Sequence, residues 1–522
     1  MTVNPQGTIY LCKTKLKNDY KNQLTFSTPE EQINYFNSTV FKTYTNYTYI
    51  KKDSVVQVGE NIDNLINCNY LFYLNTGFST KYYFCFITKM EYVNENCTRI
   101  YFETDCFQTW HFVLTYNKCF VEREHVDNDS IGVNTVPENL EVGEYISNEH
   151  FKDPTMSDFS KKCCFIAAST SVPVAGEAKD TIAPTAIYNG IYTGLSYYRY
   201  DDPSAIDLLL EIFANSGKTD AINGIFMAPQ WLAPLSGELY RNVKQSKEPN
   251  SYTLNVTKLT SLNGYTPKNN KLFCFPYNYL LLSNNVGQNT ILHYEKFSTS
   301  SCGFVVKGVL NPGCSINITP LNYNGNDESV VDSISLGKFP ICNFQNDMYT
   351  NWLTQNSINV LGQTITTDDV NIVSSALSGI AGAMTLNPNN IFSGLSGIFG
   401  SVVEQKQHNM IPPSVVGQLN SGDVNVASDN NTFHFYKMSV KKEYAEIIDN
   451  YFSMYGYKVN SLKTPNRTGR KNWNFVKTIG CNITANIPQD DLEIIRNMFN
   501  EGVTLWHNPS TMFDYSQPND IV

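Results

Sequence analysis

The sequence predicts an α+β, β-rich, multi-domain protein, with a C-terminal part of split β-α-β-β-α-β type and a long apolar loop inserted ahead of it. Three observations carry this. Among 522 residues there are 33 Tyr and 30 Phe, with Asn recurring throughout. Tyr, Phe and Thr favour strands while Asn and Gly favour turns, so the mixture reads as strands joined by many loops. From Thr432 onward, strand and helix signals alternate in the split βαβ order. Finally, only 16 % of the chain is charged, yet Val370 to Val403 contains no charged residue at all. The length allows roughly three to four domains. The pattern divides them as 1–126, 127–340, a segment 341–430 carrying the apolar stretch, and 431–522.

In chain order, Thr28-Pro29-Glu30-Glu31 offers an N-cap, an N1 proline and a capping-box glutamate, predicting a short helix to about Asn37. Phe41–Ile50, Lys81–Thr88, Thr98–Thr104 and Trp110–Tyr116 are rich in aromatic and β-branched residues and read as strands. A loop-rich passage spans Asp127–Asp158, and strand character returns at Cys163–Ala168 and Thr185–Tyr200. Asp202-Pro203 opens a helix over about 203–214, with Ile206, Leu209, Leu210 and Phe213 as its apolar face. Lys271–Leu282, Gly303–Val309 and Ser315–Thr319 are further strands. Thr432–Val440 is a strand, and Tyr444, Ile447, Ile448, Tyr451, Phe452 and Tyr455 mark a helix face ended by Gly456. Tyr457–Leu462 and Trp473–Ile483 are strands around a basic loop, Lys463–Lys471. Asp490 caps a last helix with face Leu492, Ile495, Met498 and Phe499, and Val503–His507 is the final strand.

Chemistry is sparse. The chain has no P-loop, no GxGxxG after a strand, no HExxH and no GxSxG, and its seven histidines are scattered. Arg123-Glu124-His125 could seat a base or a metal ligand, but neighbours on a strand point to opposite faces, which favours a structural role. Glu103 and Asp105 share a strand face and could form a hydrolytic carboxylate pair, yet a loop-fixing role fits better. Lys458, Lys463, Arg467, Arg470 and Lys471, near Tyr457 and Trp473, could touch nucleic acid. A solvated loop or a contact with an acidic neighbour is the simpler reading. No enzyme, cofactor or metal site is therefore expected. Net charge is −10, which argues against broad nucleic-acid affinity of the exterior. It does not exclude DNA passing through a neutral or acidic channel, where basic walls would hold the phosphates. The thirteen cysteines form no CxxC pattern and are expected to be free thiols in a reducing compartment. The N-terminus has no signal-peptide pattern.

The apolar stretch has internal order. Asn387-Pro388-Asn389-Asn390 reads as a turn. Before it, Val373, Leu377, Ile380 and Met384 recur at helical spacing; after it come Ile391, Phe392, Leu395, Ile398, Phe399 and Val402. Gly379, Gly382, Gly394, Gly397 and Gly400 permit close backbone approach. Three readings stand side by side: a permanently buried helical hairpin, a transmembrane anchor, or a membrane segment hidden in the assembled protein and released later. A spanning helix needs about 20 apolar residues, and each arm is shorter. Asp368 and Asp369 before the stretch, and Glu404 and His408 after it, would lose negative or gain positive charge on acidification and are candidate release groups.

Several motifs, taken in order, resemble one family. They are Asn18-Asp19-Tyr20-Lys21-Asn22, Tyr35-Phe36-Asn37-Ser38, Glu103, Asp105, Gln108-Thr109-Trp110, Phe120 and Arg123-Glu124-His125. Near the C-terminus come Tyr455-Gly456-Tyr457, Pro465-Asn466, Arg470-Lys471, Asp491-Leu492, Ile495-Arg496, Gly502 and Thr504-Leu505-Trp506-His507. The chain resembles the tail knob, or distal tail tube, proteins of small short-tailed phages of the picovirus type. The likeness is dense over 10–125 and 430–508 and faint across 150–340. No single motif is specific, but their joint order around a glycine-rich apolar segment is. The resemblance implies a homohexameric tube at the distal tip of the virion tail, in contact with other tail proteins, with N- and C-terminal parts co-folding into the tube wall. It further implies that the apolar loops plug the exit and then insert into the host cytoplasmic membrane as a pore for double-stranded DNA. A purely structural tube protein, or a receptor-binding or cell-wall-degrading tail component, are the alternatives.

Overall fold

A computed structural model describes residues 6–343 and 431–522, apart from 48–53, 78, 171–186, 189–190, 193–194, 203–204, 206–207, 210–211, 214–220, 236–240, 245, 312–313, 338 and 340. It divides into two units, neither continuous in sequence. The first comprises 1–143, 264–272 and 442–522; the second comprises 144–263 and 273–441.

The first unit holds a six-stranded antiparallel sheet in the order Val40–Tyr47, Gly7–Cys12, Tyr70–Asn75, Tyr82–Asn94, Cys97–Thr104, Val55–Val58. Its central strands are packed on both faces. Leu71 and Tyr73 face a core with Ile9, Leu11, Ile100 and Phe102. Tyr70 and Phe72 face another core with Phe84, Phe86 and Phe36, the last brought by helix Pro29–Ser38. That helix starts as expected, with the Thr28 hydroxyl accepting from Glu31 N and the Glu31 carboxylate accepting from Ser27 N. An ion pair between Lys42 and Glu60 links the ends of the two edge strands.

A second sheet in this unit runs Asn22–Leu24, Val503–Trp506, Trp473–Ile479, Cys119–Glu124, Tyr457–Lys463. Its first pair is parallel and the others antiparallel. Helix Gln489–Glu501 buries Leu492, Ile495, Met498 and Phe499 beside Val476, Val503 and Leu505, the face expected from its spacing.

Several expectations are corrected. The C-terminal elements occur in the expected order, but the strands do not close on one another. Cys119–Glu124 inserts between Tyr457–Lys463 and Trp473–Ile479, while His434–Val440 pairs in the second unit. Trp110–Tyr116 is not a strand: the Asp105 side chain accepts from Gln108 N and starts a helix over Cys106–Trp110, followed by a 3-10 turn at His111–Val113. Only Thr115–Tyr116 pairs, with Ile483–Thr484. The last helix begins after Pro488 without a side-chain cap, and Asp490 sits in its first turn, where its charge favours the helix dipole. Helix Lys442–Tyr455 buries Ala445, Ile448, Asp449 and Phe452, whereas Ile447 is 66 % exposed. A hydrogen-bonded aspartate occupies the seam where an apolar residue was expected.

The second unit has three main sheets around one core. Tyr145–Lys152, His434–Val440, Asn278–Ser283 and Asn289–Leu292 form one; Ser196–Tyr200, Cys163–Ser169, Ile222–Pro229 and Ile341–Asn343 another. Asn250–Thr257, Ser301–Val309 and Ser315–Tyr323 form the third, with Asn326–Glu328 and Ile334–Leu336 both pairing on Ser315–Tyr323. Phe165, Phe226, Leu280, Phe304, Ile318 and Phe435 meet in the core. Tyr145–Lys152 lies where only loop was expected, and the start of Lys271–Leu282 is a 3-10 turn, Asn270–Phe273. In the helix expected from Pro203, the described residues Ala205, Leu208, Leu209, Ile212 and Phe213 are helical, and Leu209 and Phe213 are buried; Ile206 and Leu210 lie outside the described residues. The twelve described cysteines are all free, ten of them buried.

Candidate functional site

The Arg123-Glu124-His125 run lies at the end of strand Cys119–Glu124, where it meets the turn from helix Lys442–Tyr455 into strand Tyr457–Lys463. Gly456 makes that turn at φ +62°, and a Cβ there would stand 2.2 Å from the Glu124 carbonyl oxygen, so no larger residue fits. Arg123 donates to the Gly456 carbonyl at 2.7 Å and pairs with Glu138. Glu124 pairs with Lys463 at 2.6 Å and accepts from Asn466 N at 2.7 Å. His125 Nδ1 accepts from Phe475 N at 2.7 Å, and its Nε2 lies 3.2 Å from the Ser453 carbonyl. Both ring nitrogens are thereby used by the backbone. Burial, then Arg470, pushes this imidazole down to about 3, so it is neutral. The three side chains diverge as strand geometry requires and form a structural joint between sequence-distant segments, with no convergent catalytic group.

Two neighbouring clusters escaped the sequence reading. Glu138 is buried between Arg123 and Lys271 and also accepts from Lys458 N at 2.8 Å. Asp449, fully buried, accepts from Tyr265 Oη at 2.7 Å, Lys268 N at 2.8 Å, and Asn269 N and Nδ2 at 3.0 and 2.8 Å. It thus holds the loop 264–272 on helix Lys442–Tyr455. Their partners lie over a hundred positions away in most cases, and no local pattern could reveal them.

The other candidates also resolve into structural parts. Asp105 is buried, accepts from the Tyr70 hydroxyl at 2.9 Å and caps a helix, while Glu103 is exposed and accepts from Asn18. They form no carboxylate pair. Of the basic residues, Lys463 is paired with Glu124, Arg467 lies 3.5 Å above the Tyr116 ring, and Arg470 donates to the Val126 carbonyl. A cleft of about 590 Å³ beside His125, Asp129 and Arg470 is bordered by the tail Tyr515–Ile521. There the Asn519 side chain accepts from Asn472 N and Trp473 N. No cluster of three or more metal-ligating side chains occurs among the described residues. No described helix is long and apolar enough to cross a membrane.

The remaining sequence-predicted residues lie outside the described residues. These are Val373, Leu377, Ile380, Met384, Ile391, Phe392, Leu395, Ile398, Phe399 and Val402, with Asp368, Asp369, Glu404 and His408.

Comparison with known proteins decides what kind of molecule carries these joints. The family model of the C-terminal domain of tail knob protein gp9 from Bacillus phage phi29 matches residues 239–520, more than half of the chain. The chain belongs to the tail knob protein gp9 family. A model of the N-terminus of caudoviral major tail proteins matches residues 7–115. Tail knob protein gp9 of Bacillus phage B103 is 25% identical, over 97% of this chain and 96% of that protein. The gp9 proteins of phages PZA and phi29 are each 24% identical, over 98% of both chains. Among solved structures, the bacteriophage C1 tail knob protein gp12 has the same fold, with a TM-score of 0.67 at 15% identity, covering 99% of this chain and all of the other. The chain is a tail knob protein, a structural component of the phage virion tail.

Proposed function

We propose that this tail knob protein forms a homohexameric tube at the distal end of a short tail, and that its apolar segments 370–403 plug the exit and then insert into the host cytoplasmic membrane as a pore for DNA ejection. The single observation that carries this reading is the uncharged stretch Val370–Val403 in a member of the tail knob family. Six copies bring twelve short arms together, so arms too short to span alone act jointly, with Ser and Gly toward water and Leu, Ile and Phe toward lipid. In the resting tube the same side chains are shielded from water. Sharing of one sheet by Asn22–Leu24 and Cys119–Glu124 with Val503–Trp506, Trp473–Ile479 and Tyr457–Lys463 supports a wall in which both chain ends co-fold. DNA then passes without sequence-specific binding through a lumen poor in Lys and Arg. Asp368, Asp369, Glu404 and His408 bias release toward mild acid.

A synthetic peptide of 370–403 tests the membrane step. It is expected to bind liposomes and release entrapped dye. A version with Leu377, Ile380, Leu395 and Phe399 replaced by Ser is expected to do neither, since each buried side chain contributes about 1.5–3 kcal/mol. An inert parent peptide would leave 370–403 as a permanently buried hairpin. Dye release with no dependence on pH would remove the acid bias alone.

A further inference from the structure

A cleft of about 300 Å³ lies wholly within the first unit. That is the lower end of the range for small-molecule pockets, roughly 300–1,000 Å³. It lies among the segment 19–22, the end of helix Lys442–Tyr455, strand Trp473–Ile479, the end of helix Gln489–Glu501 and Tyr515. Tyr20, Tyr455, Phe475 and Tyr515 supply aromatic rings, and Asp19 and Glu501 supply carboxylates. The sequence motifs 18–22, 455–457, 502 and 504–507 each contribute to its lining, from opposite ends of the chain.

Each ring is held by contacts of its own. The Tyr20 hydroxyl donates to the Thr104 carbonyl at 3.3 Å and accepts from Cys106 N at 3.1 Å, and its ring stands edge-on to Phe86. Tyr455 and Phe475 meet edge to face at 5.2 Å. Phe475 lies against Gly502, where the backbone sits at φ +100° and a Cβ would stand 2.9 Å from the ring, so only glycine leaves the ring its place. Tyr515 packs on Trp473 and Trp506 at 5.2 and 5.0 Å. A guest therefore meets rings that are already ordered.

Elsewhere the protein covers aromatic faces with its own cations: Arg123 over Tyr451, Arg467 over Tyr116 and Lys81 over Trp110. Among the described residues no Lys or Arg stands over any of these four rings. Asp19 and Glu501 are exposed and form no ion pair among the described residues; Asp19 accepts only from Lys21 N, at 3.1 Å. One cation, Lys21, also lines the cleft, so two carboxylates face one ammonium. Ring faces beside excess negative charge are the chemistry that holds an organic cation.

We propose that this cleft binds a quaternary ammonium group. Its methyls meet the ring faces while Asp19 and Glu501 balance its charge. An ammonium bearing N–H groups would give up hydrogen bonds to water that the rings do not replace. The site goes beyond the membrane role and does not rest on it.

The test titrates the full-length protein with choline by calorimetry, beside the alcohol in which a tert-butyl group replaces the trimethylammonium. Choline is expected to bind saturably, and the neutral alcohol about tenfold more weakly. Tyr455→Leu, which keeps apolar volume but removes the ring, is expected to weaken choline about tenfold, and Glu501→Gln about threefold, with thermal unfolding unchanged. No saturable choline binding, equal binding of the neutral alcohol, or folded variants that bind like the parent would each overturn the site. Binding that appears only in Lys21→Ala would overturn it too, by assigning the cleft to the chain's own Lys21 ammonium. Vesicles distinguish the sources of the group. Phosphatidylcholine vesicles that sediment the protein and release it to choline support the site with a lipid headgroup as guest; choline binding without such sedimentation supports it with a soluble guest.

Discussion

Glu138 compensates two cations, Arg123 and Lys271, at a site where its own carboxylate has no solvent contact. Removing one partner of a buried pair leaves an uncompensated charge, at a cost of about 3–5 kcal/mol. Glu138→Ala is therefore expected to lower the unfolding free energy by about that amount, read as a lower chemical denaturation midpoint, and an unchanged midpoint would contradict the joint as described. Titration adds a second residue-level expectation. Burial, the first cause in each case, pushes His111 and His507 down to about 4 and His125 to about 3, from 6.5. Their folded values lie below the unfolded one, so the stability they contribute is present above pH 6.5 and is lost as pH falls toward 4. Asp105 works the other way: burial raises it from 3.8 to about 7, so its contribution is full below pH 4 and is lost as pH rises toward 7. Three histidines outweigh one aspartate, and the denaturation midpoint is expected to fall between pH 7 and pH 5. Asp105→Asn, which keeps the cap, is expected to steepen that fall. A midpoint that rises on acidification would reverse the assignment.

Asp449 turns the same kind of chemistry into control of an element. Four of its hydrogen bonds go to Tyr265, Lys268 and Asn269, and the same loop 264–272 is further tied by Asp129 to Asn270 and by Glu138 to Lys271. Asp449→Ala is expected to speed trypsin cleavage after Lys268 and Lys271 by an order of magnitude, and an unchanged rate would show that the loop is held elsewhere. Elements with a local signature were legible in the sequence: the capping box at Thr28–Glu31, the seam of helix Gln489–Glu501, and strand Cys97–Thr104. Gly7–Cys12 and Tyr70–Asn75 were not, because a strand buried on both faces loses its polar alternation. Trp110–Tyr116 misled because its aromatic and β-branched content suits a strand, while the helix there is started by Asp105, five positions upstream. The candidate site divides in the same way. The apolar stretch stands out from composition alone. The hubs at Glu138 and Asp449 are invisible until the fold brings their partners together.

At the scale of the molecule, family membership and fold agree on a structural tail protein, and the proposed function assigns its active step to the apolar segment. Neither unit is continuous in sequence, and the chain leaves the first unit and returns to it on either side of 264–272. Segments far apart in sequence are therefore held by the sheets and buried hubs described above, and a deletion confined to 374–401 removes none of them. The central claim is tested most directly by building phage particles whose tail knob lacks 374–401 and measuring genome delivery into host cells beside particles with the intact chain. The expected result is a normally assembled, sixfold knob in electron micrographs together with loss of DNA delivery. Delivery at the normal rate from such particles would contradict the account.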